Sequence, residues 1–368
     1  MTGAGERRVL IDARPLQGSS ALRGIGSYVR GLVTGLLEEE FDGQVALLLD
    51  ARLPTPPLPP GRFVAYTIRP RYRGRLGLVE EAATLARRLE RIQPAVYHAT
   101  TLALPGRSPV PVLVTLHDLI PWALGGRAMW GERMRWWLGR RLLRRADLVL
   151  AVSEATARDA RRLARVPGER LLVVPEGVAP GFAPAEGAAQ RVSEEHGIRR
   201  PYLLYVGALD ARKEPGALLR VWRDVRAAGA DVDLVLAGAP GRQAPPDPGE
   251  ARRLGYLEHS QLVDLYSAAV CLVFPSRYEG FGLPPLEAMA CGCPVVAYRN
   301  SSLPEVVGDA GVLVEDGDFG ALARAAAEIA GDPRRADELR QAGLRRARRF
   351  SWRRAAAATI SAYRRLGL

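Results

Sequence analysis

Short apolar runs alternate along the chain with segments whose apolar residues recur at helical spacing. The runs of the first half, each long enough for one buried strand, are Arg8–Ala13, Val45–Leu49, Phe63–Ile68, Ala95–His98, Val110–Leu116 and Leu148–Val152. A second series comprises Tyr202–Val206, Asp233–Gly238, Val270–Phe274 and Pro294–Tyr298. Apolar strands that alternate with helices are typical of parallel sheets covered on both faces. The pattern therefore predicts an α/β protein with two doubly wound, Rossmann-like domains.

A stretch rich in proline and glycine separates the two series. Its residues, Ala179-Pro-Gly-Phe-Ala-Pro, have the composition of an interdomain linker. We therefore expect a first domain over residues 1–178, a second over 179–350 and a last amphipathic helix within 351–368. No apolar run is long enough to cross a bilayer, and residues 1–8 lack the apolar core of a signal peptide. These features favour a cytoplasmic protein.

The charge balance predicts anionic partners. The 368 residues include 52 Lys+Arg and 40 Asp+Glu, which gives a net charge of +12 and a pI of about 10.2. Such a surface attracts phosphorylated substrates, acidic lipids or nucleic acid. No helix-turn-helix, finger or aromatic RNA-binding motif is present, so we expect lipid or phosphate rather than nucleic acid. The three cysteines, without a C-x-x-C pair, suit reduced thiols in the cytosol.

A glycine-containing turn lies between Glu279 and Glu287, after the apolar run Val270–Phe274. Two prolines, Pro284 and Pro285, suit the first turn of a helix that carries Glu287. The N–H groups of Gly280–Leu283 would then point outward at the positive end of the helix dipole, where phosphate binds. The two carboxylates can hold two separate parts of such a ligand, while a surface helix with two solvated glutamates is the alternative.

Three other segments place polar groups after predicted strands. Gly24 and Gly26 lie in a predicted loop before a helix that starts at Val29, where they would let the backbone approach an anion, although a tight turn explains them equally. His117 follows a strand at the edge where open α/β sheets bind ligands, and a buried structural histidine is the alternative. Asp118 would orient His117 or cap the next turn. His98, at another strand end, could contact the acceptor, but we favour a structural role.

Two adjacent cations, Arg212 and Lys213, are predicted in the loop that follows the strand Tyr202–Val206. Lys213 is the single lysine of the chain, which suggests a site that needs a compact ammonium. A cation pair can neutralise a diphosphate both when it binds and when it leaves. The alternative is a solvated pair on a basic protein.

Segment 127–145 combines tryptophans and arginines at helical spacing. The apolar stripe consists of Trp130, Met134, Trp137, Leu138 and Leu142. We favour a helix packed on the sheet with a solvated basic face. The alternative is a helix lying on an anionic membrane surface.

The run from Phe274 to Ala297, with its Glu-Gly-Phe-Gly-Leu-Pro-Pro-Leu-Glu core, resembles the E-x7-E motif of retaining glycosyltransferases of family 4. The resemblance extends over nearly the whole chain and is strongest from Gly207 to Glu305. It implies a GT-B fold, in which two Rossmann-like domains face a central cleft. The first domain would bind the acceptor and the second the nucleotide sugar, and the last helix would cross back to the first domain.

The resemblance also implies residue roles. Glu279 would position hydroxyls of the donor sugar, Glu287 would bind the ribose, and Arg212 with Lys213 would bind the diphosphate. His117 would face the donor sugar, and the backbone of Tyr256 and Leu257 would hold the nucleobase. The remaining donor-binding positions would be Gly24, Gly26, Gly207, Gly280, Phe281, Gly282 and Leu283. Relatives often have asparagine or glycine where this chain has Glu214, so the detail of that loop is open.

These observations predict transfer of a hexose from a nucleotide diphosphate sugar, with retention of configuration, to a glycan or lipid-linked acceptor. Mannose from GDP-mannose is the first expectation, because Thr115–Pro121 resembles bacterial mannosyltransferases, and a UDP-sugar is the alternative. We expect neither cofactor nor metal, since Asp231-Val-Asp precedes a predicted strand and Asp316-Gly-Asp is predicted to form a turn and a helix cap. A contact with the inner face of the cell membrane would suit the basic surface. The alternatives are a metal-dependent GT-A transferase, a nucleotide-sugar epimerase and a non-enzymatic protein that binds nucleic acid or other anions.

Overall fold

A computed structural model describes residues 7–18, 21, 24–39, 41–58, 61, 63–69, 75–126, 129–238 and 251–368. The chain divides into two compact units. The first comprises Met1–Gly177 together with Ser351–Leu368, and the second comprises Val178–Phe350. The C-terminal segment is therefore part of the first unit.

The first unit is built on a parallel sheet in which the described strands have the order β3-β2-β1-β4-β5-β6-β7. The strands are β1 Arg8–Asp12, β2 Gln44–Asp50, β3 Val64–Ile68, β4 Val96–Ala99, β5 Val112–Leu116, β6 Leu148–Ala151 and β7 Leu171–Val173. The helices between them are α1 Gly24–Glu38, α2 Arg75–Ile92, α3 Ile120–Ala123, α4 Trp130–Leu143 and α5 Glu154–Ala164.

The second unit repeats this architecture with the strand order β10-β9-β8-β11-β12-β13, again parallel. In chain order its elements are α6 Ala188–His196, β8 Tyr202–Val206, α7 Pro215–Ala227, β9 Asp233–Ala237, β10 Arg252–Gly255, α8 His259–Ala268, β11 Cys271–Phe274, α9 Leu283–Ala290, β12 Val295–Tyr298, α10 Leu303–Val306, β13 Val312–Val314, α11 Phe319–Gly331 and α12 Pro333–Ala347. The last helix of the chain, α13 Trp352–Arg365, follows in the first unit.

Alternate residues of the first sheet enter two different cores. Leu10 packs on the side covered by α2, with Leu85 among its neighbours in the cluster. Val9 and Ile11 pack on the opposite side, which α1 and α13 cover. Because successive side chains of a strand point to opposite faces, one buried strand serves both layers. The sheet is therefore covered by helices on both faces, as the near-continuous apolar runs predict.

Helix α1 differs from the sequence prediction, because it begins at Gly24 rather than at Val29. Gly24 and Gly26 thus lie in its first turn and not in a preceding loop. The apolar positions Ile25, Tyr28 and Val29 continue the helical stripe toward the N-terminus, and burial of that stripe outweighs the low helix propensity of glycine.

No helix in the described part of the chain combines the length and apolar character needed to span a bilayer.

Candidate functional site

The strand order of the second sheet brings two distant loops together. Strands β8 and β11 are parallel neighbours, although β9 and β10 lie between them in the sequence. The loop after β8 contains a short 3-10 turn, Ala211–Lys213. The loop after β11 contains Glu279. Both loops leave the carboxyl edge of the sheet, which is where open α/β sheets place their ligands.

Glu279 accepts hydrogen bonds from both loops. Its Oε1 atom lies 2.8 Å from Nη1 of Arg212 and 2.6 Å from Oγ of Ser276. The Lys213 ammonium is 3.5 Å from the same oxygen. Arg212 also donates to the carbonyl of Tyr278 at 2.5 Å. Three of the four residues predicted as catalytic therefore form one network, in which both cations already contact a carboxylate.

The network is largely shielded from water. The side chain of Glu279 is 13% exposed and that of Lys213 is 10% exposed. Burial alone would raise the pKa of the Glu279 carboxyl. The charges of Lys213 and Arg212 and the hydrogen bonds from Ser276 and Arg212 have the opposite and larger combined effect, so the pKa lies below its ordinary value. Glu279 is therefore ionised at neutral pH.

Gly207 makes room for the ammonium. Its φ of +142° lies in the region that side chains disfavour, and a Cβ there would stand 2.8 Å from Nζ of Lys213. The ammonium also lies 5.1 Å from the centre of the Phe274 ring, within the range of a cation–π contact. Gly207 thus contributes to the site through the side chain that it lacks.

Glu214, where the chain departs from the family pattern, has an unusual backbone conformation. It is the N-cap of α7 with a φ of +44°, a left-handed conformation that glycine and asparagine adopt most easily. Its carboxylate accepts a hydrogen bond from the Tyr298 hydroxyl at 3.2 Å and lies 3.6 Å from the guanidinium of Arg277. These two contacts hold the Glu214 side chain against β12 and the loop after β11.

The turn before α9 has the predicted form. Gly282 is the N-cap, with a φ of +113°, and the helix begins with Leu283 and two prolines. The hydroxyl of Ser302 donates to the carbonyl of Phe281 at 2.5 Å and lies 3.1 Å from the carbonyl of Glu279, so it holds the turn in place. Sequence reasoning had missed this serine.

The other predicted donor-binding residues of this unit differ in their exposure to solvent. Gly280 is buried, and the side chain of Phe281 is buried against Phe350 at a ring distance of 5.8 Å, so these two can offer a ligand only backbone groups. Glu287 accepts a hydrogen bond from the buried Tyr266 hydroxyl at 3.2 Å. Tyr256, 51% exposed, and the partly buried Leu257 lie in the loop between β10 and α8.

The first unit has its own polar group at the carboxyl edge of its sheet. His117 follows β5, and its Nδ1 lies 3.1 Å from Oε1 of Glu176, which follows β7 and is 4% exposed. Sequence reasoning had missed Glu176, although its place just after a strand was the available signal. Since a carboxylate can only accept, this hydrogen bond requires a proton on Nδ1, and in the neutral ring Nε2 then has the free lone pair. Within the described structure, Nε2 of His117 is buried without a hydrogen-bond partner.

Two polar residues close to His117 in the sequence or the sheet have local structural contacts. Oδ1 of Asp118 accepts a hydrogen bond from the N–H of Ile120 at 3.0 Å, so Asp118 caps the following turn. His98 is fully buried between the Tyr363 and Thr115 hydroxyls, at 2.7 and 2.8 Å, and burial lowers its pKa to about 3. His98 is thus a neutral structural residue, as predicted.

The ring of Tyr28, on α1, meets the His117 ring edge-on at 4.8 Å, which places the helix that begins with Gly24 and Gly26 beside His117.

Among the described residues, no group of three or more His, Cys, Asp or Glu side chains is arranged to hold a metal ion. In the second D-x-D sequence, Asp318 caps α11 by accepting from the N–H of Ala321 at 2.8 Å, and Asp316 accepts from the side-chain amide of Asn300 at 2.5 Å.

Two parallel α/β units in succession, the second with cations and a carboxylate at its ligand edge, have the GT-B fold of sugar transferases. The solved sucrose-phosphate synthase of Thermosynechococcus elongatus has this architecture, with a TM-score of 0.78 and 25% identity over 98% of both chains. The fold class expected from the sequence is confirmed.

Comparison with known families assigns the chain more closely. Residues 188–346 match the family model described as "Glycosyl transferases group 1", and residues 22–182 match "Glycosyltransferase Family 4". The chain belongs to glycosyltransferase family 4, so the resemblance carried by the E-x7-E run is confirmed.

Mannosyltransferases of Escherichia coli are among the similar proteins. O-antigen chain mannosyltransferase B is 33% identical over 236 residues, which are 60% of this chain and 61% of that protein. Serotype-specific mannosyltransferase WbdA is 25% identical over 97% of this chain and 48% of its own length. The matches thus cover less than two thirds of either relative.

Proposed function

We propose that the protein transfers a mannosyl residue from GDP-mannose to a glycan or lipid-linked acceptor, with retention of configuration and without a metal ion. The observation that carries the proposal is the contact of Glu279 with both Arg212 and Lys213 in a glycosyltransferase of family 4. The mannosyltransferases among the similar proteins support the choice of sugar. A UDP-sugar is the second candidate donor.

The cation pair suits the leaving group. In the proposed reaction the bond between the anomeric carbon and the diphosphate oxygen breaks, and its electron pair stays on the diphosphate. Arg212 and Lys213 would neutralise this developing charge. The acceptor hydroxyl would attack from the same face and give its proton to the leaving diphosphate, which accounts for retention. Glu279 would position the donor sugar and hold the two cations.

The remaining roles follow from the hydrogen-bonding capacity of each group. Glu287 would accept hydrogen bonds from the ribose, and the backbone around Gly280–Leu283 would approach the phosphates at the N-terminus of α9. The backbone of Tyr256 and Leu257 would hold the base. With its proton on Nδ1, His117 would accept a hydrogen bond from a donor-sugar hydroxyl through Nε2.

We also propose a peripheral contact with anionic lipid through α4, on the cytoplasmic face of the membrane. Leu142 is buried in the core of the unit, which agrees with the favoured interpretation of a helix packed on the sheet. Two tryptophans remain outside, since Trp130 is 60% exposed and Trp137 46% exposed. The guanidinium of Arg141 lies 4.9 Å from the Trp137 ring. Exposed tryptophans beside arginines are suited to a lipid interface.

A ligand screen followed by a transfer assay tests the proposal. A nucleotide sugar at a hundred times its dissociation constant should stabilise the protein by about 2.7 kcal/mol, and we expect GDP-mannose to do so. Release of GDP in the presence of excess EDTA, and cleavage of the product by an α-mannosidase, would support metal-independent transfer with retention. Stabilisation by UDP-sugars alone would refute the donor, and epimerised sugar without transfer would refute the reaction.

The variant Glu279→Gln should lose transfer, whereas Glu338→Gln should keep it. Glu338 is a matched control, because it is an exposed glutamate of the same unit that pairs with Arg335 at 3.3 Å. Full activity of the Glu279 variant would contradict the proposed site.

A further inference from the structure

An arginine-lined groove lies on the first unit, at the end of the edge strand β3. It is formed by the end of β3 with Arg69 just beyond it and by one face of α2, it is open to solvent, and its volume is about 200 Å³. Because this space is many times what one water molecule needs, it suits a polyatomic ligand rather than a single ion. The lining residues, which we call the arginine groove, are Thr67, Ile68, Arg69, Thr84, Arg87, Arg88 and Arg91.

Helical spacing gathers the basic side chains of α2 on one face. Arg87 and Arg88 follow Thr84 by three and four positions, and Arg91 follows them by four and three. Residues at these separations are neighbours on a helix surface. Arg69 approaches from the sheet side. Four guanidinium groups therefore border one concavity.

The groove has no counter-charge of its own, because none of its described lining residues is acidic. Two other arginines of the unit, Arg14 and Arg52, have acidic partners. Arg14 contacts Asp12 and Glu81, and Arg52 contacts Asp50 at 2.6 Å. Like charges held close together without a counter-ion repel one another. A bound anion would remove this repulsion.

The hydrogen bonds of the groove also indicate that a ligand is absent. Nη2 of Arg87 donates to the Thr84 hydroxyl at 3.3 Å, a contact between two lining residues that leaves the charge uncompensated. Nε of Arg88 is buried and has no hydrogen-bond partner in the described structure. Buried donors are nearly always paired, so an unpaired one indicates an absent ligand or water.

We propose that the arginine groove is a second anion site, which binds a phosphate or diphosphate group. Planar guanidinium forks match phosphate oxygens in bidentate pairs, and threonine hydroxyls can add further donors. The cation pair of Arg212 and Lys213 lies in the other unit, so the two sites have separate residues. The ligand would be either a soluble phosphate ester or the head group of a phospholipid. This proposal does not depend on sugar transfer.

Footprinting of the wild-type chain tests the site without a mutation. Arginines would be modified with phenylglyoxal, alone and with inorganic pyrophosphate, or with sodium chloride at equal ionic strength, and located by peptide mass spectrometry. Pyrophosphate should slow modification of Arg87, Arg88 and Arg91, while the exposed Arg345 and Arg348 at the C-terminal end of α12 should be unaffected. Equal protection by chloride would overturn the proposal.

Phospholipid vesicles separate the two ligand sources. Protection by phosphatidylglycerol in phosphatidylcholine vesicles, but not by pyrophosphate, would identify a lipid head group. Protection by pyrophosphate in solution would identify a soluble phosphate ester. Protection by neither would refute an anion site in the groove.

A pair of double variants provides the quantitative test. Arg88→Gln with Arg91→Gln should weaken binding of the protecting anion roughly tenfold or more, because two charge-assisted hydrogen bonds are lost. Arg345→Gln with Arg348→Gln removes the same charge at the same spacing and should leave the affinity unchanged. Equal losses in both variants would show a general effect of net charge and refute the site.

Discussion

Replacing Glu279 by glutamine should destabilise the second unit, because two cations depend on that carboxylate. The variant keeps the shape of the side chain and removes only its charge. The amide oxygen can still accept from Ser276 and Arg212, which lie 2.6 and 2.8 Å from the carboxylate. The Lys213 ammonium, 3.5 Å away and largely buried, would lose its charge partner.

Removal of one partner from a buried ion pair costs about 3–5 kcal/mol. We expect the lower end, about 3 kcal/mol, because two hydrogen bonds survive in the variant. The control Glu338→Gln breaks an exposed pair with Arg335 and should change stability by no more than about 0.5 kcal/mol.

The difference between the wild type and Glu279→Gln should also depend on pH. The pKa of Glu279 is lowered in the folded protein, so its stabilisation is present above the unfolded pKa, about 4.3 for glutamate, and is lost as pH falls through the folded pKa. The difference should therefore be constant between neutral pH and about pH 5 and should shrink in more acidic solution.

Hydrogen exchange in β8 and β11 is the suitable assay, because it reports the opening free energy of this unit alone. Glu279→Gln should exchange faster than the wild type in both strands at neutral pH. Equal exchange in the two proteins at neutral pH would refute the reasoning, as would a difference that grows in acid.

Two further predictions concern the first unit. Glu176→Ala should change the ¹⁵N spectrum of one of the four histidines, His117, from that of the Nδ1-protonated tautomer to that of a mixture, and it should lower the transfer activity. Glu176→Gln should largely retain the tautomer and the activity, because its amide oxygen still accepts a hydrogen bond. An unchanged His117 signal in the alanine variant would contradict the pairing. Gly31→Ala should destabilise the unit by about 1–3 kcal/mol in urea unfolding, because the new Cβ would overlap the Trp352 ring, whereas Gly131→Ala, with open space around it, should be neutral or stabilising by up to about 1 kcal/mol; equal effects of the two substitutions would show that the Trp352 contact is unimportant.

The sequence predicts local structure well where a single physical signal dominates. Apolar runs identify the central strands, and the prolines after Gly282 identify the start of α9. The start of α1 was predicted wrongly, because glycine suggests a loop while the apolar stripe from Ile25 favours a helix. The two signals conflict, and only the packing that forms in the folded unit decides between them.

Contacts between loops depend on strand order, which local patterns do not specify. Glu176 reaches His117 because β6 pairs with both β5 and β7. Arg212 reaches Glu279 because β8 pairs with β11 as well as with β9, although β9 and β10 lie between β8 and β11 in the sequence. The sequence predicts that three of these residues lie at a ligand edge. Which residue contacts which partner depends on the order of the strands in the sheet.

The geometry of the site explains why the single lysine of the chain lies at position 213. Its ammonium lies beneath Gly207, where even a Cβ would come within 2.8 Å, and faces the Phe274 ring and the Glu279 carboxylate. A planar guanidinium is wider than an ammonium and requires space for five donors. An arginine at this position would therefore press against the turn that Gly207 opens. The compact cation and the missing side chain form one arrangement, which explains why lysine stands here in a chain whose other basic residues are arginine.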